Sequence, residues 1–402
     1  MTRPQLSITR RSFLRALTIA SSGALLPRSL RALEEAVAPP SGSLIPERPL
    51  GRSGIRVSSL CLGGIFDIQA NQHVLHRALQ LGVTCWDTAD CYQGGRSEIG
   101  YGQFLERQPE ARREIFLISK SDARDPEGMT RLLNRSLERL HTDYLDLYML
   151  HDLRSPSELT GEMERWVARQ KNEGRIRLFG FSTHRNMEQQ LLAGATLGWL
   201  DVIMNTCNFR LLQGAGMQNA LEKCGSAGLG LIAIKTQGGG PIPADAERDP
   251  AGQFLGRGFS VGQAKLKAVW ENPHISTICS QMHVVRHLAE NAAAAMDQTT
   301  LSWNDREGLA HLAQSTCAGY CAGCERLCGA ALEQPVPVAD LMRSLMYARS
   351  YRDIELAREC FSAIAPGIRE RLLATDYTLA EQACPQGLPI ARLVREAVEL
   401  LA

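Results

Sequence analysis

Residues 82–102 read GVTCWDTADCYQGGRSEIGYG. After Gly82, the run Val83-Thr84-Cys85-Trp86-Asp87 is β-branched, aromatic and apolar, and it ends on a carboxylate. A short run of this kind, bounded by a breaker, predicts a buried strand. Residues 97–105 then take up the helical period, so the stretch reads as strand, turn, helix. The same unit recurs on both sides of it. Strand-like runs fall at 55–62, 115–120, 145–151, 177–181, 201–204, 230–234 and 276–279, with helical patterns at 70–81, 128–140, 158–171 and 217–223 among them. Runs that alternate with helices at roughly 30-residue spacing predict a parallel sheet with right-handed crossovers. Eight such runs favour closure, and no G-x-G-x-x-G follows the first one, so the expected class is an α/β (β/α)8 TIM barrel.

Asp87, Tyr92, Lys120 and His151 each lie at or just past the end of a strand-like run. In a parallel barrel those ends converge on one face, where barrel enzymes keep their chemistry. Singly, each residue has a bland explanation: a strand-end Asp caps a helix, and Tyr or His packs. Together, a phenol, an ammonium and a carboxylate make a proton donor whose acidity its neighbours can tune.

A chain of 402 residues that is 44% hydrophobic and 22% charged can build a large core. Its net charge of +1 offers no electrostatic case for nucleic acid or an anionic membrane. Twelve cysteines are unevenly placed, four of them within residues 317–328. That clustering predicts a metal or cluster site, or disulfides in an oxidising compartment. At the N-terminus, Thr9-Arg10-Arg11-Ser12-Phe13-Leu14-Arg15 precedes a short apolar run from Ala16 to Leu26. It resembles the twin-arginine export signal, which implies the export machinery as a partner and a periplasmic destination. The run is shorter than the about 20 apolar residues that span a bilayer, so the mature form is not expected to cross one. Residues 1–40 are assigned to the signal and linker, 45–298 to the barrel, and 299–402 to an all-helical, cysteine-containing C-terminal domain.

The stretch at 82–102 also resembles the aldo-keto reductase signature, in which an Asp precedes the catalytic Tyr by five positions. Leu50-Gly51-Arg52-Ser53-Gly54, Lys120 in LISKSD, His151 in LYMLHD and Gly180–His184 in GFSTH extend the resemblance. It implies interconversion of a small carbonyl and an alcohol with NAD(P). Tyr92 would donate the proton, Lys120 would make the phenol more acidic, Asp87 would hold Lys120, and His151 would orient the carbonyl. For the cofactor, it implies Ser182 and Asn208 near the nicotinamide amide, and Glu290, Asn291 and Arg286 near the adenosine phosphate. Met204 stands where many members carry Gln, and Lys235 where many carry a stacking ring. Gln281 and His287 stand where NADP-preferring members commonly have Lys and Arg, which leaves NAD or NADP open. The loop at 237–258 carries no readable substrate preference.

Past the barrel, Cys317-x3-Cys321-x2-Cys324-x3-Cys328 resembles a ferredoxin-type loop, and Cys384-Pro385 resembles the element that closes one. The tail resembles that of exported aldo-keto reductases with iron–sulfur ligands. It implies iron–sulfur ligation and an electron-transfer partner; because TDYTLAEQA before Cys384 lacks the extra cysteines of the fuller tails, one [4Fe–4S] cluster at most is expected, held by four of these five cysteines. Zinc and disulfides are the rival readings of the same thiols. Residues 339–360 read as one helical run, and Cys360 and Cys91 read as packing residues. The alternative function is a non-enzymatic electron-transfer or assembly protein that keeps the barrel as a scaffold.

Overall fold

The computed structural model describes residues 44–239, 258 and 260–402. The signal segment at 1–40 and all but the ends of the 237–258 loop lie outside the described residues. Eight strands close into a parallel barrel: β3 (Leu60–Gly63), β4 (Cys85–Asp87), β5 (Phe116–Ser121), β6 (Leu145–Leu150), β7 (Ile176–Thr183), β8 (Val202–Thr206), β9 (Gly230–Ile234) and β10 (Ile275–Gln281). They pair in sequence order, and β10 closes on β3 through Ile278–Gln281 against Leu60–Gly63. Each strand is followed by a helix, the last being Val285–Met296.

The period of two along each strand sorts side chains into two cores. Cys61, Cys85, Phe116, Ile118, Leu147, Met149, Val202, Met204 and Ile232 fill the barrel interior. Their neighbours Leu62, Trp86, Leu117, Tyr148, Phe179 and Ile203 face outward into the helical layer. By the same alternation Asp87, two residues above Cys85, and Lys120, two above Ile118, come up at the mouth of the interior.

One expected strand divides in two. Residues 55–62 break at Ser59 into β2 (Arg56–Ser58), antiparallel to β1 (Glu47–Pro49), and the barrel strand β3. Ser59 forms the break because its N–H donates to Pro46 while its carbonyl accepts from Ile278 N–H and Trp270 Nε1. Leu50 and Val57 of this hairpin join the interior core and plug the end of the barrel away from Asp87.

Residues 44–402 form one compact unit, so the helical tail is packed onto the barrel. The tail has its own core of Val338, Leu341, Leu345, Phe361, Ile390, Leu393 and Val394. Residues 339–360 are not one helix: Val338–Met346 passes into a π-turn at Tyr347–Tyr351, Arg352 takes φ 56°, and a new helix runs Ile354–Ser362. Asp353 caps that second helix by accepting from Leu356 N–H at 3.0 Å. A capping residue and a left-handed residue both end the preceding helix, whatever the periodicity around them.

Candidate active site

At the mouth of the barrel, Lys120 Nζ donates to Asp87 Oδ1 at 2.5 Å, to the Thr88 carbonyl at 2.8 Å and to Tyr92 Oη at 3.2 Å. Lys120 is 1% exposed, so its charge is satisfied by these partners and not by water. Tyr92 is held by an unusual loop. Gln93, Gly94 and Gly95 all have positive φ, and a Cβ at Gly95 would collide with the Arg139 guanidinium. Arg139 in turn bonds Asp90 and the fully buried Glu98, both at 3.1 Å, which ties the loop to the helices beneath it.

The His151 ring packs edge-on against Tyr92 with centroids 5.6 Å apart. Its Nδ1 lies 2.9 Å from Asp122 Oδ1 and 3.5 Å from Cys91 Sγ. Burial works to raise the Asp122 carboxyl, but the hydrogen bond and charge of His151 outweigh it, and the net direction is down.

The expected acidification of Tyr92 does not appear. Burial, followed by the negative charge of Asp87, pushes its phenol well above 10. Lys120 is already paired with Asp87 at 2.5 Å, which offsets its pull on the phenol. In this pocket Tyr92 is a neutral hydroxyl, the form that can give a proton.

These groups open into a chamber of about 1100 Å³. Asp87, Tyr92, Lys120, His151, Ser182, Met204, Lys235 and Gln281 all line it from the barrel. Ser182 Oγ accepts from Asp152 N–H at 3.0 Å. Asn208 is not among the lining residues. It is fully buried, its amide donating to Tyr320 Oη at 2.8 Å and to the Lys235 carbonyl. Those bonds commit it to fixing the tail, in contrast to the cofactor contact expected for it. Arg286, Glu290 and Asn291 lie on the helix after β10, outside the chamber. Arg286 pairs with Glu290 at 3.4 Å, and Asn291 donates to Ser280 Oγ at 3.1 Å.

The other wall of the chamber comes from the tail, a contribution the sequence reading missed. Arg343, Tyr347, Tyr351, Leu356, Ile364 and Ile368 line it. Lys235, at φ 57°, places Nζ over the rings of Tyr347 and Tyr351 at 4.6 and 4.8 Å and donates to Tyr347 Oη at 3.2 Å. Burial opposes the charge on Lys235, yet the two tyrosines outweigh it and hold the ammonium above its ordinary value. An aromatic ring does stand beside this position, supplied by the tail and not by the strand.

Arg185 and Arg343 clamp the two parts together. Asp340 accepts from Arg185 at 2.7 Å and Arg343 at 3.0 Å, and Asp152 accepts from them at 2.9 and 3.1 Å. A signal for this was present: Asp340, Arg343, Tyr347 and Tyr351 recur at helical spacing within an apolar segment.

Four thiols gather behind this wall. Cys321, Cys324, Cys328 and Cys384 line one small cavity together with Pro385, and Cys317 does not. Burial and the neighbouring sulfurs raise Cys321 and Cys328, the latter to about 12. All twelve cysteines are free of disulfides. Glu325, next to Cys324, borders both this cavity and the main chamber. Among the described residues, no helix is long and apolar enough to cross a membrane.

The matches to known proteins follow the barrel. The fold is similar to that of an aldo-keto reductase from Bacillus halodurans in its holo form, with a TM-score of 0.56 at 20% identity, covering 67% of this chain and 97% of that one. L-galactose dehydrogenase from Arabidopsis thaliana is 26% identical, covering 63% of this chain and 92% of its own. The aldo-keto reductase yakc [NADP(+)] from Schizosaccharomyces pombe is 32% identical over 34% of this chain and 45% of its own. Residues 62–304 match the family model described as the aldo/keto reductase family, and the tail lies beyond that match. The chain therefore belongs to the aldo/keto reductase family of oxidoreductases.

Proposed function

We propose that the chain reduces a small carbonyl compound to an alcohol, or runs the reverse reaction, with a nicotinamide cofactor. The observation that carries this is the contact set at the barrel mouth: Lys120 within hydrogen-bond reach of both Asp87 and Tyr92, with the His151 ring against Tyr92. When bound, the nicotinamide supplies the hydride. Tyr92 delivers the proton to the carbonyl oxygen, Lys120 steadies the phenolate left behind, and Asp87 keeps Lys120 charged and in place. His151 donates to the same oxygen and fixes its angle. Ser182, which lines the chamber, would meet the carboxamide. The yeast relative, yakc [NADP(+)], favours NADP. The test is a titration of the full chain with NADPH and NADH, followed by turnover of a panel of aldehydes. Tight binding with turnover is expected; no binding of either nucleotide returns the barrel to the scaffold role.

We further propose that Cys321, Cys324, Cys328 and Cys384 hold a [4Fe–4S] cluster, with Cys317 outside the set. Their donor chemistry fits, since four thiolates with a Cys-Pro element suit iron–sulfur ligation. Among the described residues, no three of these sulfurs come within 4.8 Å of one another. A single tetrahedral zinc, with Zn–S about 2.3 Å, needs sulfurs roughly 3.8 Å apart. The spread favours the larger unit. Through Glu325 this cluster would neighbour the chamber, so an electron partner could draw on the chemistry there. The paired arginines Arg10 and Arg11 support export of the loaded protein to the periplasm. Protein recovered from the periplasmic fraction is expected to be brown and bleached by dithionite. The colour should vanish in Cys384→Ala and persist in Cys317→Ala; colourless protein, or dependence on Cys317, refutes the assignment.

A further inference from the structure

We propose that Cys91, Asp122 and His151 form a binding site for a soft divalent cation, zinc in the first place, at the mouth of the chamber. The three residues reach it from separate places: Cys91 from the loop after β4, Asp122 from just past β5, and His151 from just past β6. Among the described residues, they are the one set whose ligand atoms all lie within 4.8 Å of one another. His151 Nδ1 stands 2.9 Å from Asp122 Oδ1 and 3.5 Å from Cys91 Sγ.

A tetrahedral zinc bonded at about 2.0–2.3 Å sets neighbouring ligands roughly 3.3–3.8 Å apart. Closing this triad on an ion therefore needs shifts of only a few tenths of an ångström at the two measured edges. A thiolate, an imidazole and a carboxylate suit zinc, and do not suit magnesium or calcium, which take oxygen shells. All three side chains line the chamber, so the fourth position opens toward it. Three protein ligands with one open position is the layout of an accessible zinc site and not of a closed structural one.

The backbone around the triad is pinned independently of any ion. His151 N–H donates to the Ser121 carbonyl at 2.8 Å, Arg124 donates to the His151 carbonyl at 2.7 Å and to the Asp122 carbonyl at 3.0 Å, and the Cys91 carbonyl accepts from Gly94 N–H at 3.0 Å. The ligands are therefore held in place before an ion arrives, which limits the ordering cost of binding.

Binding has a consequence for the reaction. The ion holds the imidazole between Asp122 and Cys91 and fills the chamber mouth beside Tyr92, where the carbonyl must stand. Cation and carbonyl then compete, and zinc inhibits turnover. This last step rests on the function proposed above; the binding does not.

The full chain, with its thiol cavity loaded as purified, is treated with EDTA to remove labile ions and titrated with Co²⁺. One equivalent is expected to give a near-ultraviolet thiolate-to-cobalt band that zinc abolishes. The band should be lost in Cys91→Ser and retained in Cys317→Ser. Zinc sensitivity, read against each variant's own metal-free rate, should fall at least about tenfold in Cys91→Ser. A band that survives Cys91→Ser, or no uptake at micromolar cobalt, overturns the site. Cobalt binding without inhibition of an active enzyme overturns the competition. Absence of any turnover counts against the proposed reaction, and the spectrum still decides the metal.

Discussion

Replacing Tyr92 with phenylalanine is expected to lower kcat by about 10²–10⁴-fold, the usual worth of a positioned proton donor. The substitution is clean because it removes so little. Among the described residues, Tyr92 Oη has one hydrogen-bond partner, Lys120 Nζ at 3.2 Å, and that ammonium keeps Asp87 and the Thr88 carbonyl. Deleting one such bond costs about 1 kcal/mol, so the fold stays intact. Nucleotide affinity should stay within a few-fold, since the hydroxyl serves the chemical step. Lys120→Met is a poorer test, because it strands the buried Asp87 charge and costs stability as well as rate. The pH profile adds a second reading. Carbonyl reduction needs the protonated phenol, which burial and Asp87 hold well above 10. On this group's account the reductive rate is level through neutral pH and is lost only as the pH rises past that value. Unchanged kcat in Tyr92→Phe would remove the residue from the mechanism.

The barrel was legible because its signal is local and repeated. Each strand is a short apolar run, each polar residue at its end marks the active face, and alternation alone assigns Asp87 and Lys120 to the interior. Less could be read where long-range packing decides. The break at Ser59 depends on bonds to Pro46, Ile278 and Trp270, two of them more than 200 positions away. The break after Tyr351 depends on Arg352 adopting a left-handed conformation that no apolar pattern announces. Asn208 was read by resemblance as a cofactor contact, but Tyr320 of the tail claims its amide. The direction of the Tyr92 shift could not be read either, since it turns on how completely Asp87 occupies Lys120. Most consequential was the tail. Its cysteines drew the reading toward a separate redox domain, while the polar stripe from Asp340 to Tyr351 was building half the chamber. That arrangement puts tail side chains on the wall of the chamber that holds Tyr92.

Asp340→Ala should loosen the tail and degrade the chamber together. Asp340 is 8% exposed and accepts from both Arg185 and Arg343, so its loss leaves two guanidiniums sharing Asp152, with Glu325 3.5 Å from Arg185. Removing one partner from a buried ion cluster costs about 3–5 kcal/mol, most of it the penalty of the charge left behind. A fall of several degrees in Tm is expected. Faster proteolysis between the barrel and the tail should accompany it. KM should rise by more than kcat falls, because Tyr347 and Tyr351 move while the barrel-mouth contacts of Tyr92 stay put. The double variant Asp340→Ala/Arg343→Met should recover part of the stability, since it removes the excess positive charge; no recovery would mean that packing, not charge, holds the clamp. Acid gives an independent check. Burial opposes the Asp152 charge, but Arg343, His184 and Arg185 outweigh it and hold this carboxyl far below its ordinary value. A carboxylate with a depressed folded pKa contributes stability that is fully present above its unfolded pKa of about 3.9 and lost as the pH falls below it. The Asp152 share of the clamp should therefore hold down to about pH 4 and fail only beneath that. Tail release already complete near pH 5 would show that the arginine clamp is not what binds it.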